Sequence, residues 1–459
     1  MFSLLQHLGN LRHIDLSYSK NLIEISDLSQ ATNLESINLN YCTSLLQCPS
    51  LDFKNIDKLA SSNNCCEQFC RQERNNPRAV GNLNLVGCSN LRTMKEVSGN
   101  LRYLNLRETA VEELPPSIWR LDGLVSLDIS DNRFLKNVPT NILKLRSLHS
   151  LSLAGCSTLE KFPIVPRNLR WLRLSKTTIE QVPSSIDTLP HLKEFSLIDC
   201  KSLKSLPTSF CNLKSLTRFD LFGCSELESF PEILVPMEHL EYLDLNETAI
   251  KKLPTSIENL IALSSLNMAR CESLEFIPNS IYNIKGLEVF FVGNCSKLEK
   301  FPFVPNHPCH LNYLHLSYCV ILEISDSISS ISSLKRLDLR GNMIETIPTS
   351  IKQLSKLKLL RITNCKNLRS LPELPLSLDL LYASGCTSLE IVKSSRNELV
   401  QGCWDDYHVA VRKAYLFYGC LKLDQKVHNK IVTEFQLRVF QTSTVSILKP
   451  KELSACVSH

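Results

Sequence analysis

The sequence lacks the features that define several protein classes. No stretch approaches about 18 uninterrupted apolar residues, so we expect no membrane span. The N-terminal segment has neither a basic region nor a continuous apolar core, so we expect no signal peptide. No GxxxxGK[ST] loop and no Gly-Lys pair occurs, which excludes this way of binding the phosphates of ATP or ADP. Only 13 glycines and 3 tryptophans are present.

Charge and histidine content give no sign of nucleic-acid binding or of catalysis. The net charge is +5, and basic and acidic residues are interspersed, whereas a nucleic-acid groove needs a denser basic stripe. The 11 histidines are scattered, and no Ser-His-Asp or Cys-His arrangement stands out. We interpret His315 as a surface residue more readily than as a base. We therefore predict no catalytic, cofactor-binding or metal-binding residues and no enzymatic activity.

What the sequence does contain is a repeated motif, LxxLxLxxC, with a period of roughly 21 to 24 residues that is typical of leucine-rich repeats. A clear copy begins at Leu263 and ends at Cys271, and a degenerate copy near Ile56 would make the total seventeen. The other copies begin at Leu11, Leu34, Val80, Leu101, Leu124, Leu148, Leu169, Leu192, Leu216, Leu240, Leu287, Leu311, Leu334, Leu357 and Leu378.

This period predicts an α/β leucine-rich-repeat solenoid, a curved horseshoe in which each repeat is one turn. Positions 1, 4 and 6 of the motif point inward, and stacking on neighbouring turns buries them. The short LxL strands form a parallel sheet on the concave face, with successive strands about 4.8 Å apart. Such a face suits a large partner better than a small molecule.

The outer side of many turns carries the segment Leu-Pro-x-Ser-Ile-x-x-Leu, as at residues 253–260 and 347–354. Proline ends the extended side of the turn, and we expect the following Ser or Thr to cap a short 3₁₀ turn on the convex face. We assign residues 1–392 to the solenoid, with an irregular stretch at 46–79. Residues 393–459 form a truncated post-repeat segment, with one amphipathic helix predicted from Asp424.

Ten of the 19 cysteines share the ninth motif position, where other repeats have Thr, Asn or Ser. Small side chains of this kind can hydrogen bond to the backbone where the chain leaves the strand. We predict a buried, reduced structural ladder and therefore a cytosolic protein. The ladder comprises Cys42, Cys88, Cys156, Cys200, Cys224, Cys271, Cys295, Cys319, Cys365 and Cys386. A separate cluster, Cys65, Cys66 and Cys70, lacks the second ligand pair of a zinc site.

These motifs together resemble the leucine-rich-repeat region of plant TIR-NB-ARC-LRR disease-resistance proteins. Four features carry the resemblance: the opening repeats from Leu11, the Gly-Cys-Ser-x-Leu-Glu-x-Phe-Pro turns (residues 155–163 and 223–231) alternating with Thr-Ala-Ile/Val turns, the Leu-Pro-x-Ser-Ile segments, and residues 417–425, which look like the start of the post-repeat domain. The TIR and nucleotide-binding domains expected before residue 1 are not in this sequence, so we expect a fragment or truncated paralogue.

The resemblance implies a recognition and regulatory module of an intracellular immune receptor, located in the cytoplasm or in both cytoplasm and nucleus. Its partners would be a pathogen effector, a guarded host protein, or the TIR and nucleotide-binding domains of a receptor. The alternative is a general intracellular leucine-rich-repeat scaffold or adaptor without an immune role.

Aromatic and Arg residues at outward positions of the strands are the candidate protein-binding site, because these residue types dominate interface energetics. They are Tyr103, Trp171, Arg173, Arg218, Phe222, Tyr242, Phe291, Tyr313, Arg336, Arg361 and Tyr382.

Overall fold

The computed structural model describes residues 10–25, 31–53, 80–135, 137–302, 310–393 and 414–423, together with Leu8 and Leu28. The chain forms two compact units, residues 1–240 and 241–459. The predicted cysteine cluster around Cys65 and the helix predicted from Asp424 lie outside the described residues.

Each described repeat of the first unit contributes one three-residue strand, because its apolar residues alternate with outward-facing ones. Consecutive strands pair in parallel, with Leu127 opposite Leu104 and Leu151 opposite Leu127. The strands are His13–Asp15, Ser36–Asn38, Asn82–Asn84, Tyr103–Asn105, Ser126–Asp128, Ser150–Ser152, Trp171–Arg173, Glu194–Ser196 and Arg218–Asp220.

The degenerate repeat predicted near Ile56 lies outside the described residues. Ser36–Asn38 pairs directly with Asn82–Asn84, so nothing can lie between them. Part of the stretch predicted to be irregular is ordered beside the ladder, where Gln47–Cys48 pairs with Thr93–Met94 and Leu51–Phe53 with Val97–Gly99. The repeats that begin at Leu34 and Val80 are therefore neighbours in the ladder.

The second unit continues the same pattern with parallel strands in register, such as Leu243 opposite Leu266. Its strands are Tyr242–Asp244, Ser265–Asn267, Val289–Phe291, Tyr313–His315, Arg336–Asp338, Leu359–Arg361, Leu380–Tyr382 and Ala414–Leu416. A further short pair joins Ser370–Leu371 to Ile391–Val392.

The strand Ala414–Leu416 lies beyond the predicted end of the repeats at residue 392, yet it pairs in parallel with Leu380–Tyr382. The Cys420 thiol also donates a hydrogen bond of 3.1 Å to the Ala383 carbonyl, as ladder cysteines do. Aromatic Tyr415 and Phe417 replace the leucines of the motif here, which hid the copy from the pattern. We infer that residues 414–423 belong to a further repeat.

The outer side of the repeats carries short 3₁₀ turns, as the Leu-Pro-x-Ser-Ile segments predict. Proline is the residue before most of these turns, and Pro254 has φ −67° and ψ 151° with no side-chain cap. The predicted capping by Ser or Thr is therefore wrong where proline holds the cap position, although Ser325 does accept from the Ser327 N–H at 3.2 Å. The turns are Pro116–Arg120, Thr140–Lys144, Ser184–Thr188, Thr208–Asn212, Thr255–Asn259, Asn279–Asn283, Asp326–Ser330 and Thr349–Gln353.

The core of each unit is the stack of apolar positions that the motif predicts. Leu243 and Leu266, on adjacent strands, both have 0% of their surface exposed. Every repeat then turns off its strand through a residue with positive φ just before the ladder position, such as Arg270 at 56° and Gly341 at 68°. This backbone turn aims the ninth side chain into the core.

Candidate functional site

All ten predicted ladder cysteines are buried, which confirms that part of the prediction. Each thiol donates to the carbonyl of the sixth-position residue one repeat earlier, as Cys88 does to Leu39 at 3.0 Å and Cys386 to Ile362 at 3.0 Å. Threonine at the same position bonds within its own repeat instead, as Thr177 does to Leu174 at 2.7 Å. The cysteines thus link neighbouring turns and are part of the scaffold.

Burial raises the pKa of several of these thiols, to about 11 for Cys271 and Cys365 and to about 12 for Cys88 and Cys156. A thiol with a raised pKa is a poor nucleophile and a poor metal ligand. Within the described ranges, no three His, Cys, Asp or Glu side chains are placed to share a metal ion.

We define the strand face as the outward side chains at the third, fifth and neighbouring motif positions. The predicted binding residues lie on this face. On the first unit, Tyr103 and Trp171 are only 7% and 4% exposed. Both rings are therefore largely covered, since parallel strands a few ångströms apart leave a large ring covered by its neighbours.

The other predicted residues of the first unit have polar partners or lie beyond the strand. Arg173 makes an ion pair of 3.3 Å with Glu194 on the next strand. Arg218 is exposed and makes an ion pair of 3.2 Å with Asp220 two residues later. Phe222 follows the strand and is half-buried. None of these contacts gathers the predicted residues of this unit into one cluster.

The second unit does bring predicted residues together. The Phe291 ring meets Tyr313 edge-on, with centroids 5.1 Å apart. Arg361 places its guanidinium carbon 5.4 Å from the centre of the Tyr382 ring, a cation–π distance. Arg336 is exposed on the strand between them. Tyr242 is half-buried at the other end of the unit, and its hydroxyl donates to Asp244 at 2.7 Å.

At the centre of this cluster lies Asp338, whose side chain is 1% exposed. The Arg340 guanidinium holds it from two sides, with Nε at 2.9 Å from Oδ1 and Nη2 at 2.9 Å from Oδ2. Arg361 approaches the same carboxylate at 3.6 Å. The buried carboxylate is therefore charge-compensated, and it holds both guanidinium groups in place.

His315 lies on the outward strand face and is half-buried. Its ring lies 5.5 Å from Phe291 and stacks on Tyr313 at 6.0 Å with an interplanar angle of 8°. Burial lowers its pKa, and Arg340 and Arg361 lower it further, while Asp338 acts in the opposite direction. The neutral ring is therefore favoured.

Sequence reasoning missed His315, Asp338 and Arg340. A usable signal was present, because His315 and Asp338 each lie two residues after a predicted site residue of the same repeat, and Arg340 follows Asp338 by two residues. Tyr313, Arg336 and Leu359 share the third motif position of three successive repeats. A comparison of equal motif positions would have placed them side by side, as the strand register does.

The repeat register, the parallel ladder and the short 3₁₀ turns define a leucine-rich-repeat protein. A family profile described as "Disease resistance protein RPS4B-like, leucine-rich repeats" matches residues 212–397. The chain is 33% identical over 84% of its length to "Protein SUPPRESSOR OF npr1-1, CONSTITUTIVE 1" of Arabidopsis thaliana. It is 28% identical over 88% of its length to "TMV resistance protein N" of Nicotiana glutinosa. The chain belongs to the leucine-rich-repeat region of the plant disease-resistance proteins of the TIR-NB-LRR class.

The chain spans 23% and 28% of the length of those two relatives. Among solved structures, a leucine-rich-repeat protein of Leptospira interrogans superposes with a TM-score of 0.44 at 20% identity, covering 73% of this chain and 94% of that one. Within the described ranges, no helix reaches the length and apolar content needed to cross a bilayer.

Proposed function

We propose that this chain is the protein-recognition and regulatory module of a plant intracellular immune receptor. In this proposal the strand face binds a pathogen effector or a guarded host protein. The same repeats can also contact the TIR and nucleotide-binding domains of a receptor, and the cytoplasm is the proposed location. Family membership supports the immune role, and a repeat fold of this type is a protein-interaction scaffold.

One observation carries the proposal for the strand face, namely the aromatic and arginine cluster of the second unit. Arginine and aromatic side chains are the residue types that most often supply interface energy. Here Phe291, Tyr313 and His315 contact one another, and Arg361 is fixed by Asp338. Side chains already held in place lose little conformational freedom on binding, so more of their contact energy becomes affinity.

The test is a paired substitution experiment on the second unit. One variant changes the strand face (Tyr313→Ala with Arg361→Ala), and the matched variant changes exposed outer residues (Lys285→Ala with Lys352→Ala). Each is expressed in leaves with single pathogen effectors, and cell death and cross-linked partners are measured. We expect only the strand-face variant to lose effector response and cross-links.

The opposite outcome would point to a different role for the repeats. If the outer-face variant alone removes the response, the strand face is not the recognition surface. The repeats would then act as a restraint on the receptor's other domains. If neither variant changes any partner contact and no effector gives a response, the general scaffold alternative gains support.

A further inference from the structure

The strand face of the second unit carries a concentrated positive charge. Aromatic contacts with a partner would not require this charge. We define the arginine patch as Lys335, Arg336, Arg340, Lys358 and Arg361, on two adjacent repeats. The chain as a whole has nearly balanced charge, so this local excess is not a consequence of composition.

Acidic groups near the arginine patch compensate it only in part. Asp338 serves both Arg340 and Arg361, and Asp379 makes an ion pair of 3.3 Å with Lys358. Among the described residues, no acidic partner meets the exposed side chains of Lys335 and Arg336.

The repeats that begin at Leu240 and Leu263 have the opposite character. Glu241, Asp244 and Glu247 lie on or beside the strand face there, and Arg270 is committed to Glu247 at 2.7 Å. A ligand with negative charge would be repelled by these repeats and attracted to the patch. The unit therefore sets a direction as well as a position for a charged ligand.

Next to the arginine patch lies an aromatic shelf, defined as Phe291, Tyr313 and His315. The three rings contact one another at centroid distances between 5.1 and 6.0 Å. The His315 Nδ1 atom is buried and has no hydrogen-bond partner among the described residues. Aromatic surface beside fixed guanidinium groups suits a peptide that carries both ring and carboxylate side chains.

We propose that the arginine patch and the aromatic shelf bind an acidic, aromatic-containing peptide segment of the partner protein. Carboxylates of the segment pair with Arg336 and Lys335, and with the outer edges of Arg340 and Arg361, whose side chains are 32% and 34% exposed. Asp338 acts as a positioning residue, because it holds the two guanidinium groups in one geometry. This inference rests on the proposed function and names the class of partner for the same face.

The test uses the full 459-residue chain and a fluorescein-labelled decapeptide in which Glu and Tyr alternate. The matched control peptide has Gln in place of every Glu. We expect the Glu peptide alone to bind, and Arg336→Glu to raise its Kd by about tenfold or more, with weaker binding at higher salt. Lys285→Glu, which makes the same charge change on an exposed outer residue, is expected to leave the Kd within about twofold.

Arg336 is exposed, so its replacement does not threaten folding, and Arg336→Lys is expected to recover most of the affinity. Equal binding of the Glu and Gln peptides, or equal effects of Arg336→Glu and Lys285→Glu, would overturn the inference. So would stronger, patch-dependent binding of a single-stranded oligonucleotide than of the peptide. If Tyr313→Ala with Arg361→Ala abolishes effector response in leaves while Arg336→Glu does not, the proposed function stands and only the acidic-segment inference fails.

Discussion

The thiol of Cys271 donates a hydrogen bond of 3.1 Å to the Leu245 carbonyl, which also accepts from the Thr248 hydroxyl at 2.7 Å. The Cys295 thiol donates to the Met268 carbonyl at 3.3 Å, and no other described donor reaches that oxygen. The two cysteines occupy the same motif position and are equally buried. They differ in what happens when the thiol is removed: the Leu245 carbonyl keeps the Thr248 hydroxyl as a donor, whereas the Met268 carbonyl keeps none of the described donors.

We therefore predict that Cys295→Ala destabilises the protein more than Cys271→Ala does. Leaving a buried carbonyl without a donor costs about 1–3 kcal/mol, whereas Leu245 would retain Thr248. Urea titrations of the two variants measure the difference in the free energy of unfolding. Equal losses would mean that packing of sulfur, and not the hydrogen bond, accounts for the cysteine ladder.

Thiol reactivity should follow burial along the described ladder. Cys420 is half-exposed, and its interaction with the neighbouring Cys386 thiol lowers its pKa, while burial raises the pKa of Cys365 to about 11. We expect iodoacetamide to label Cys420 in the native protein well before Cys365, and both at similar rates in urea. Peptide-resolved mass spectrometry gives the order. Native disulfides between ladder positions would contradict the expected reducing compartment.

The core register predicts a clear contrast between two leucines of the second unit. Leu266 is 0% exposed, so Leu266→Ala is expected to cost about 2–5 kcal/mol through lost transfer energy and the remaining cavity. Leu322 is 53% exposed, and Leu322→Ala should cost no more than about 0.5 kcal/mol. Urea unfolding checks both. Similar losses for the two variants would show that the repeat register is incorrect.

The repeat pattern predicted the ladder well because one periodic rule applies to every turn. Strands appear at the LxL positions of all sixteen clear copies, and the segment at residues 253–260 forms its 3₁₀ turn. The copy at Ala414–Leu416 was missed because Tyr415 and Phe417 fill the leucine positions. The pattern predicts which side chains point inward and which point outward. It does not predict which side chain of the next strand each of them contacts.

The site was less predictable for that reason. Whether an outward side chain is open or covered depends on the side chains of the next repeat, about 23 residues away in the sequence. A motif read within one repeat does not show which side chains these are. Trp171 is covered although its position faces outward, and Asp338 is nearly buried although it is charged and also faces outward. Both outcomes depend on contacts across strands, such as those of Arg340 and Arg361 with Asp338.

Trp171 and Tyr242 should therefore respond differently to replacement by alanine. Trp171 is 4% exposed, so we expect Trp171→Ala to cost about 3–5 kcal/mol of stability. Tyr242 is half-buried on the strand face, so Tyr242→Ala is expected to weaken a partner on this face by roughly 1–4 kcal/mol while changing stability less. Thermal unfolding and titration calorimetry with the partner separate the two effects. A stable Trp171→Ala variant with lost binding would restore Trp171 as an anchor.

His315 gives the second unit a pH-dependent contribution to stability. Its pKa in the folded protein is lowered, mainly by burial and further by Arg340 and Arg361, although Asp338 opposes the shift. The unfolded chain therefore binds the proton more readily than the native protein does. The contribution is fully present above about pH 6.5, the ordinary histidine value, and is lost as the pH falls through it toward the lower folded pKa.

We predict that His315→Gln reduces the loss of stability on acidification. The measurement is the free energy of unfolding in urea at about pH 7.5 and about pH 5, above and below the ordinary histidine pKa. The wild-type protein should lose more stability between these values than His315→Gln does, since the glutamine cannot take up the proton in either state. His310→Gln, at an exposed histidine of the same unit, serves as the control and should follow the wild type. If His315→Gln also follows the wild type, then the ring is protonated equally in both states, and the packing against Tyr313 and Phe291 does not exclude the charge.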